Sequence, residues 1–225
     1  MGNSIGHRPG LFGRIPPNDF VEKSVRSFLK RHQSPKSLLS QLHELYRQGA
    51  HDSCLHLIQV ICEIQHPLCE SAEMYVLGAK IAFEEDEDMA EVESWLLQAE
   101  LNDPSSPACF DFSLLINALK KLKDGLYSEA SQDLLGLVDS DEVSFLASYL
   151  LGRHFLWKSQ ETGLSIYHLE TALQSKPNFK KAWEAAGFAY NREGQQDLAN
   201  LAFSKCIELE SDPDKIEFYR QHLAS

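Results

Sequence analysis

Residues 180–213 read KKAWEAAGFAYNREGQQDLANLAFSKCIELESDP, and this stretch decides the fold. Trp183, Ala186, Gly187 and Tyr190 follow one another at helical spacing, Gly194 interrupts, and Ala199 and Phe203 resume the spacing beyond it. Two antiparallel helices approach closely only where the touching positions lack bulk. Gly or Ala therefore belongs where the backbones meet, and aromatic rings fill the wider gaps beside them. The stretch predicts a helical hairpin turned at Gly194.

Working back along the chain, the small position at Gly187 recurs at Gly152, Ala118 and Gly78, with Leu42 in the same place at the start, at separations of 35, 34, 40 and 36 residues. The fourth unit reads Leu151, Gly152 and Phe155, then Leu169, Ala172 and Pro177, with one extra residue in its internal turn. The third reads Leu114 and Ala118, then Gly125, Tyr127 and Ala130, followed by Leu134 and Leu137. The second reads Met74, Leu77, Gly78 and Ile81, then Ala90 and Trp95, closing at Pro104. The first reads Leu38, Leu42 and Leu45, then Gly49, Cys54, Ile58, Ile61 and Pro67. A period near 34 residues with small residues at fixed offsets is the pattern of stacked helical hairpins.

These residues resemble the tetratricopeptide-repeat family, with Ala186 in place of the usual leucine and Pro213 arriving about two residues late. The resemblance covers residues 36–213 and implies five units, 36–67, 71–104, 108–142, 145–177 and 180–213. It implies an all-α fold, a right-handed superhelix of antiparallel hairpins in which each hairpin covers the apolar face of its neighbour. The third unit departs from the pattern, with Asn117 and Lys121 where packing residues are expected, and the stretch Asn102 to Cys109, holding Pro104 and Pro107, is six residues long for the repeat. A bend or break is expected there. Asp212 as cap and Pro213 at the first helical position start a closing helix over 214–225, lined on one side by Ile216, Tyr219 and Leu223.

Residues 1–17 hold four glycines and three prolines and read as an irregular basic arm. Over 18–34, Phe20, Val21, Val25, Phe28 and Leu29 share one helical face while Lys23, Arg26, Lys30 and Arg31 lie largely opposite, which predicts a basic amphipathic helix. Residues 1–36 carry seven basic and two acidic side chains, a net +5, so the rest of a chain of net charge −12 carries −17. That surface repels polyanions and argues against nucleic acid as a partner. The run Glu84, Glu85, Asp86, Glu87, Asp88 reads as a solvated acidic turn within the second unit, or as a dock for a basic segment such as residues 20–31. The start Met1-Gly2-Asn3-Ser4 approaches an N-myristoylation signal but has Gly6 where Ser or Thr is wanted. No apolar stretch reaches the roughly 20 residues that cross a bilayer. A cytoplasmic location is the expectation, in keeping with five cysteines that form no paired motif.

No phosphate-binding loop, nucleophile elbow, zinc-protease motif or EF-hand loop is present, so the expectation is a protein that is not an enzyme and needs no cofactor. His51, Cys54, His56, Cys62, His66 and Cys69 fall within nineteen residues, but their spacing matches no structural-zinc pattern and they read as buried repeat residues instead of metal ligands. What the resemblance implies is a binding role. In tetratricopeptide stacks the inner wall is lined by first helices, and carried onto this sequence the partner-binding positions are Leu39, His43, Tyr46, Tyr75, Leu115, Tyr149, Arg153, Glu184, Phe188 and Asn191. Members that grip acidic chaperone tails place lysine, arginine and asparagine at such positions, whereas Leu39, Tyr75 and Leu115 are apolar here, which points away from that role. The expected function is a scaffold or assembly-factor subunit holding a helical or extended apolar segment of another protein in a concave groove. Two further readings are a dedicated secretion chaperone of the type III translocator kind, and a peripheral membrane adaptor in which Lys23, Arg26, Lys30 and Arg31 contact an acidic surface.

Overall fold

The computed structural model describes residues 34–85 and 89–223, and every regular element among them is helical. The helices are α1 (Pro35–Arg47), α2 (His51–Glu63), α3 (Ala72–Glu84), α4 (Met89–Asn102), α5 (Pro107–Lys123), α6 (Tyr127–Leu135), α7 (Ser144–His154), α8 (Thr162–Ser175), α9 (Lys180–Arg192), α10 (Gln196–Leu209) and α11 (Pro213–Gln221). The expected basic arm and amphipathic helix lie outside the described residues, as do Asp86 to Asp88. The chain divides into two compact units, Met1–Phe110 and Asp111–Ser225.

In the first unit, α1 starts where the Ser34 hydroxyl accepts a hydrogen bond from the Ser37 amide (3.3 Å), and Pro35 takes the first helical position, where a missing N–H costs nothing. Gly49, at φ 75°, turns the chain into α2. A 3-10 turn, Pro67–Glu70, leads to α3 and is capped by His66 Nδ1, which accepts from the Leu68 amide (3.1 Å). Helices α3 and α4 form the tightest pair of this unit. A β-carbon on Gly78 would lie 2.6 Å from the indole of the buried Trp95, so only glycine lets the ring lie against the helix backbone. Helix α3 is apolar on every side and exposes only Glu73 of its 13 residues. That burial corrects the reading of Glu84 as part of a solvated turn. Its carboxylate closes α3, accepts a hydrogen bond from the Tyr46 hydroxyl and lies 3.6 Å from His51 Nε2.

In the second unit, α5 and α6 are tied by Lys121, whose ammonium reaches Asp133 (2.6 Å) and Glu129 (3.7 Å). Asn117 is exposed, and Phe112, Leu115, Ala118, Ala130 and Leu134 are buried. The two polar residues expected at packing positions thus face away from the core. Helices α7 and α8 cross at Gly152. A β-carbon there would lie 2.5 Å from Leu169 Cγ and 3.2 Å from the Ser165 carbonyl oxygen, and the Ser165 hydroxyl donates to the Gly152 carbonyl (2.8 Å). Between these helices Phe155–Ser159 form a π-helical turn that ends at Gln160, in the left-handed region at φ 59°. This wider turn absorbs the extra residue of the fourth unit. Helices α9 and α10 cross at Gly187, where a β-carbon would lie 2.8 Å from the Phe203 ring. Helix α11 then packs on α10, capped by Asp212, which accepts from the Asp214 amide (2.9 Å).

Candidate protein-binding site

Three helices of the second unit bring aromatic side chains together on one surface. On α7, Tyr149 and Arg153 are one turn apart, and Trp157 follows four residues on in the π turn. Helix α9 supplies Phe188, and α11 supplies Phe218 and, just past its end, His222. Ring centroids are 5.8 Å apart for Trp157 and Phe188, 6.4 Å for Phe188 and Phe218, 5.3 Å for Phe188 and His222, and 4.5 Å for Phe218 and His222. Phe188 also meets Phe203 edge to face at 5.3 Å, which anchors the cluster to the core beneath it. Trp157 is 50% exposed and Phe218 42%, so the two ends of the row stand in water with Phe188 half-buried between them.

Two guanidinium groups flank the row. The Arg192 side chain lies 5.5 Å over the Trp157 ring and donates to the Leu156 carbonyl, and Arg153 lies 5.5 Å over Tyr149 and donates to its hydroxyl (3.3 Å). Among the described residues neither arginine is ion-paired with a carboxylate, and both are exposed. The surface therefore offers apolar faces, stacked cations and unspent donors to whatever lies on it. Tyr219 beneath it is buried and donates to Glu184 (3.1 Å); burial, with the nearby Glu184 charge, pushes its phenol up from the usual range.

Of the positions expected to line a binding wall, Phe188 sits at the centre of this row, Arg153 and Asn191 are exposed beside it, and Glu184 is half-buried. Three others have little or no surface to offer. Leu115 is fully buried, Tyr149 packs edge to face on Phe179 at 4.9 Å, and the Tyr75 hydroxyl lies 3.6 Å from Cys62 Sγ beneath the Trp95 contact. Helices α7 and α3, which carry Tyr149 and Tyr75, are covered on nearly every side, and a residue read as lining an open wall is core there. In the first unit Leu39, His43 and Tyr46 are half-buried on α1, and the Tyr46 ring stacks on His51 at 5.8 Å. Lys23, Arg26, Lys30 and Arg31 lie outside the described residues. Trp157, Phe218, His222 and Arg192 belong to this aromatic surface and are not among the expected positions. Trp157 continues the Tyr149, Arg153 stripe at four-residue spacing, and that spacing was the available signal.

Among the described residues no group of three His, Cys, Asp or Glu side chains is placed to hold a metal. Of the six histidines and cysteines of residues 51–69, four are engaged separately, Cys54 with the Leu42 carbonyl (3.6 Å), Cys62 with Tyr75, His51 with Glu85 (2.5 Å) and His66 with the Leu68 amide. Burial pushes the Cys54 and Cys206 thiols up to about 12 and Cys62 up to about 11, so none is a ready nucleophile.

Directly beneath the π turn, His154 and His168 are both buried, and the Phe155 ring stacks on His168 at 5.5 Å and tilts against His154 at 5.6 Å. Burial holds both imidazoles below the usual 6.5; Glu161 opposes this at His154 and Lys158 reinforces it. Below pH 6.5 the unfolded chain therefore binds protons that the folded chain refuses, and stability is lost as pH falls from there until the folded imidazoles themselves protonate. In a Trp95→Phe background, the urea midpoint reported by Trp157 and Trp183 fluorescence is expected to drop more between pH 7.5 and 5.5 with both histidines present than with His154→Phe/His168→Phe. Equal drops would mean that the two rings are not held neutral.

No family model and no curated protein matches the sequence. The chain is similar in structure to PilF of Pseudomonas aeruginosa (14% identity, 91% of this chain and 85% of that one, TM-score 0.46). It is also similar to the P58(IPK) tetratricopeptide domain (15%, 92% and 70%, TM-score 0.44) and to PilW, a type IV pilus biogenesis factor (15%, 85% and 88%, TM-score 0.43). At such scores the likenesses carry no argument of their own, and the assignment rests on the crossings at Gly78, Gly152 and Gly187. By those crossings, and by the repeat that spaces them, each of the two units is all-α and built of helical hairpins that resemble tetratricopeptide repeats.

Proposed function

We propose that this chain is a protein-binding scaffold or assembly-factor subunit, and that the second unit holds a partner segment on the row formed by Trp157, Phe188 and Phe218. The single observation that carries this reading is the exposure of large rings at both ends of a row whose centre is packed into the core. Isolated exposed apolar residues are ordinary, whereas a contiguous aromatic row flanked by unpaired arginines has the composition of an interface centre. Each Å² of apolar surface a partner covers there contributes roughly 25 cal/mol before ordering costs. An amphipathic helix or extended apolar segment with a carboxylate near Arg153 or Arg192 fits the row. A reducing, cytoplasmic setting suits the buried, unpaired thiols. Among the described residues no helix is long and apolar enough to cross a membrane, and the membrane-adaptor reading rests on residues 1–31, outside them.

The test is selection of short random peptides displayed on phage against the full chain, followed by titration of the enriched peptides. Enriched sequences are expected to carry aromatic or aliphatic anchors, and Trp157→Ala and Phe188→Glu are each expected to weaken them by about tenfold or more, the usual cost of losing an interface anchor. Peptides whose affinity survives both substitutions would place the binding surface elsewhere.

A further inference from the structure

His154 is the last residue of α7, and its side chain bridges the π turn that carries Trp157. Its Nε2 lies 3.2 Å from the hydroxyl of Ser159, five residues on, and the backbone closes the same turn where the Phe155 carbonyl accepts from the Gln160 and Glu161 amides. The other ring nitrogen, Nδ1, is buried with no hydrogen-bond partner among the described residues, and the residue is 7% exposed. A neutral ring fits this setting by donating its one proton from Nε2 to Ser159 and leaving a bare lone pair on Nδ1. A second proton must go on Nδ1, where it makes a buried charged donor with no acceptor. The groups around the ring do little to relieve that. Lys158 lies in the turn itself, Tyr127 of α6 sets its ring 5.3 Å away, and Arg192 of α9 donates to the Leu156 carbonyl. From α8 come His168, across the Phe155 ring, and Glu161, just ahead of the first turn. Glu161 is the one carboxylate of this set, and burial outweighs it at His154, with Lys158 adding to burial.

The turn can open while its two helices stay together. Gly152, two residues before His154, packs against Leu169 and holds α7 to α8, and of the five residues of the turn Leu156 alone is buried. His168 stands next to Leu169 within α8, so that imidazole reaches water only when the helices part. We propose that the π turn is a proton-sensitive latch: protonation of His154 opens Phe155–Ser159 and frees Trp157 from Phe188 and Arg192, with α7 and α8 still packed. In the open turn the imidazole meets water and titrates at the ordinary 6.5, whereas in the closed turn it refuses the proton. Opening therefore grows as pH falls below 6.5 and is insensitive to pH well above it. For one such group the open fraction rises by up to about tenfold between pH 7.5 and 5.5. A partner on the row favours the closed turn and acid the open one, so the two compete; that consequence rests on the proposed role of the row, and the opening itself does not.

Native-state hydrogen exchange of the intact chain at pH 7.5 and 5.5, read as protection factors so that the intrinsic pH dependence of exchange cancels, tests this. The Gln160 and Glu161 amides report the turn, and those of Leu169 and Leu173 report the helix pair. The turn amides are expected to be less protected than the α8 amides at both pH values, and their protection to fall severalfold, up to about tenfold, from pH 7.5 to 5.5. In His154→Phe that fall is expected to shrink below about twofold, and in His168→Phe to persist. His154→Gln, which keeps a neutral donor for Ser159, is expected to behave as His154→Phe and serves where the larger ring disturbs the packing. A fall that survives in both His154 variants would overturn the proposal, as would protection at the turn that does not change with pH in the wild type. Turn amides as well protected as those of α8 would also overturn it, since the turn would then open only with the whole unit.

Discussion

Phe203→Ala is expected to cost the second unit about 3–5 kcal/mol, the range for removing a fully buried aromatic side chain. Phe203 has no exposed surface, and its ring fills the space that Gly187 leaves open between α9 and α10. Phe188 meets it edge to face at 5.3 Å and His222 lies 5.2 Å away. Collapse around the lost ring is resisted because one wall of the cavity is helix backbone at Gly187 and cannot rotate inward as a side chain can. The aromatic row proposed to bind a partner depends on the same ring, since Phe188 leans on it. Hydrogen exchange of the α9 and α10 amides measures the loss, and a cost under about 1 kcal/mol would show that the ring is not core.

Which parts of this were legible in the sequence follows from how local the physics is. The hairpins were legible because a close crossing needs a missing side chain on one helix and a large one opposite, and Gly78 with Trp95, Gly152 with Leu169 and Gly187 with Phe203 satisfy that at offsets of 17, 17 and 16 residues. The caps at Ser34 and Asp212 rest on side chains bonding their own helix and are local too. The aromatic row proposed as the binding surface is only half legible. Helices α3 and α7 are apolar on every side, so periodicity cannot tell which side faces a neighbour and which faces water. Tyr75 and Tyr149 read as available for that reason and are buried, as is Leu115 on α5. Trp157 escaped notice because a π turn carries it past the end of α7, and no residue type announces such a turn. Phe218 is absent from the expected positions because the closing helix reads as lined by Ile216, Tyr219 and Leu223, although Phe218 continues the aromatic row. Glu84 was misread for the opposite reason, since a run of carboxylates reads as exposed and only the neighbouring Tyr46 and His51 explain its burial.

The account stands or falls on the helix crossings, and a glycine-to-alanine series reads them directly. In an exposed helix the change stabilises by about 0.5–1 kcal/mol, because alanine loses less backbone freedom on folding. Gly163 is such a site, exposed in the first turn of α8 with nothing within 4 Å of a β-carbon. At Gly78, Gly152 and Gly187 the new methyl would lie 2.6, 2.5 and 2.8 Å from Trp95, Leu169 and Phe203, all buried and closely packed. Overpacking of this kind costs about 1–3 kcal/mol and outweighs the propensity gain, so the sign reverses. Urea unfolding of the four single variants is the measurement. The account predicts a lower midpoint for Gly78→Ala, Gly152→Ala and Gly187→Ala and a higher one for Gly163→Ala; four midpoints that all rise would contradict it.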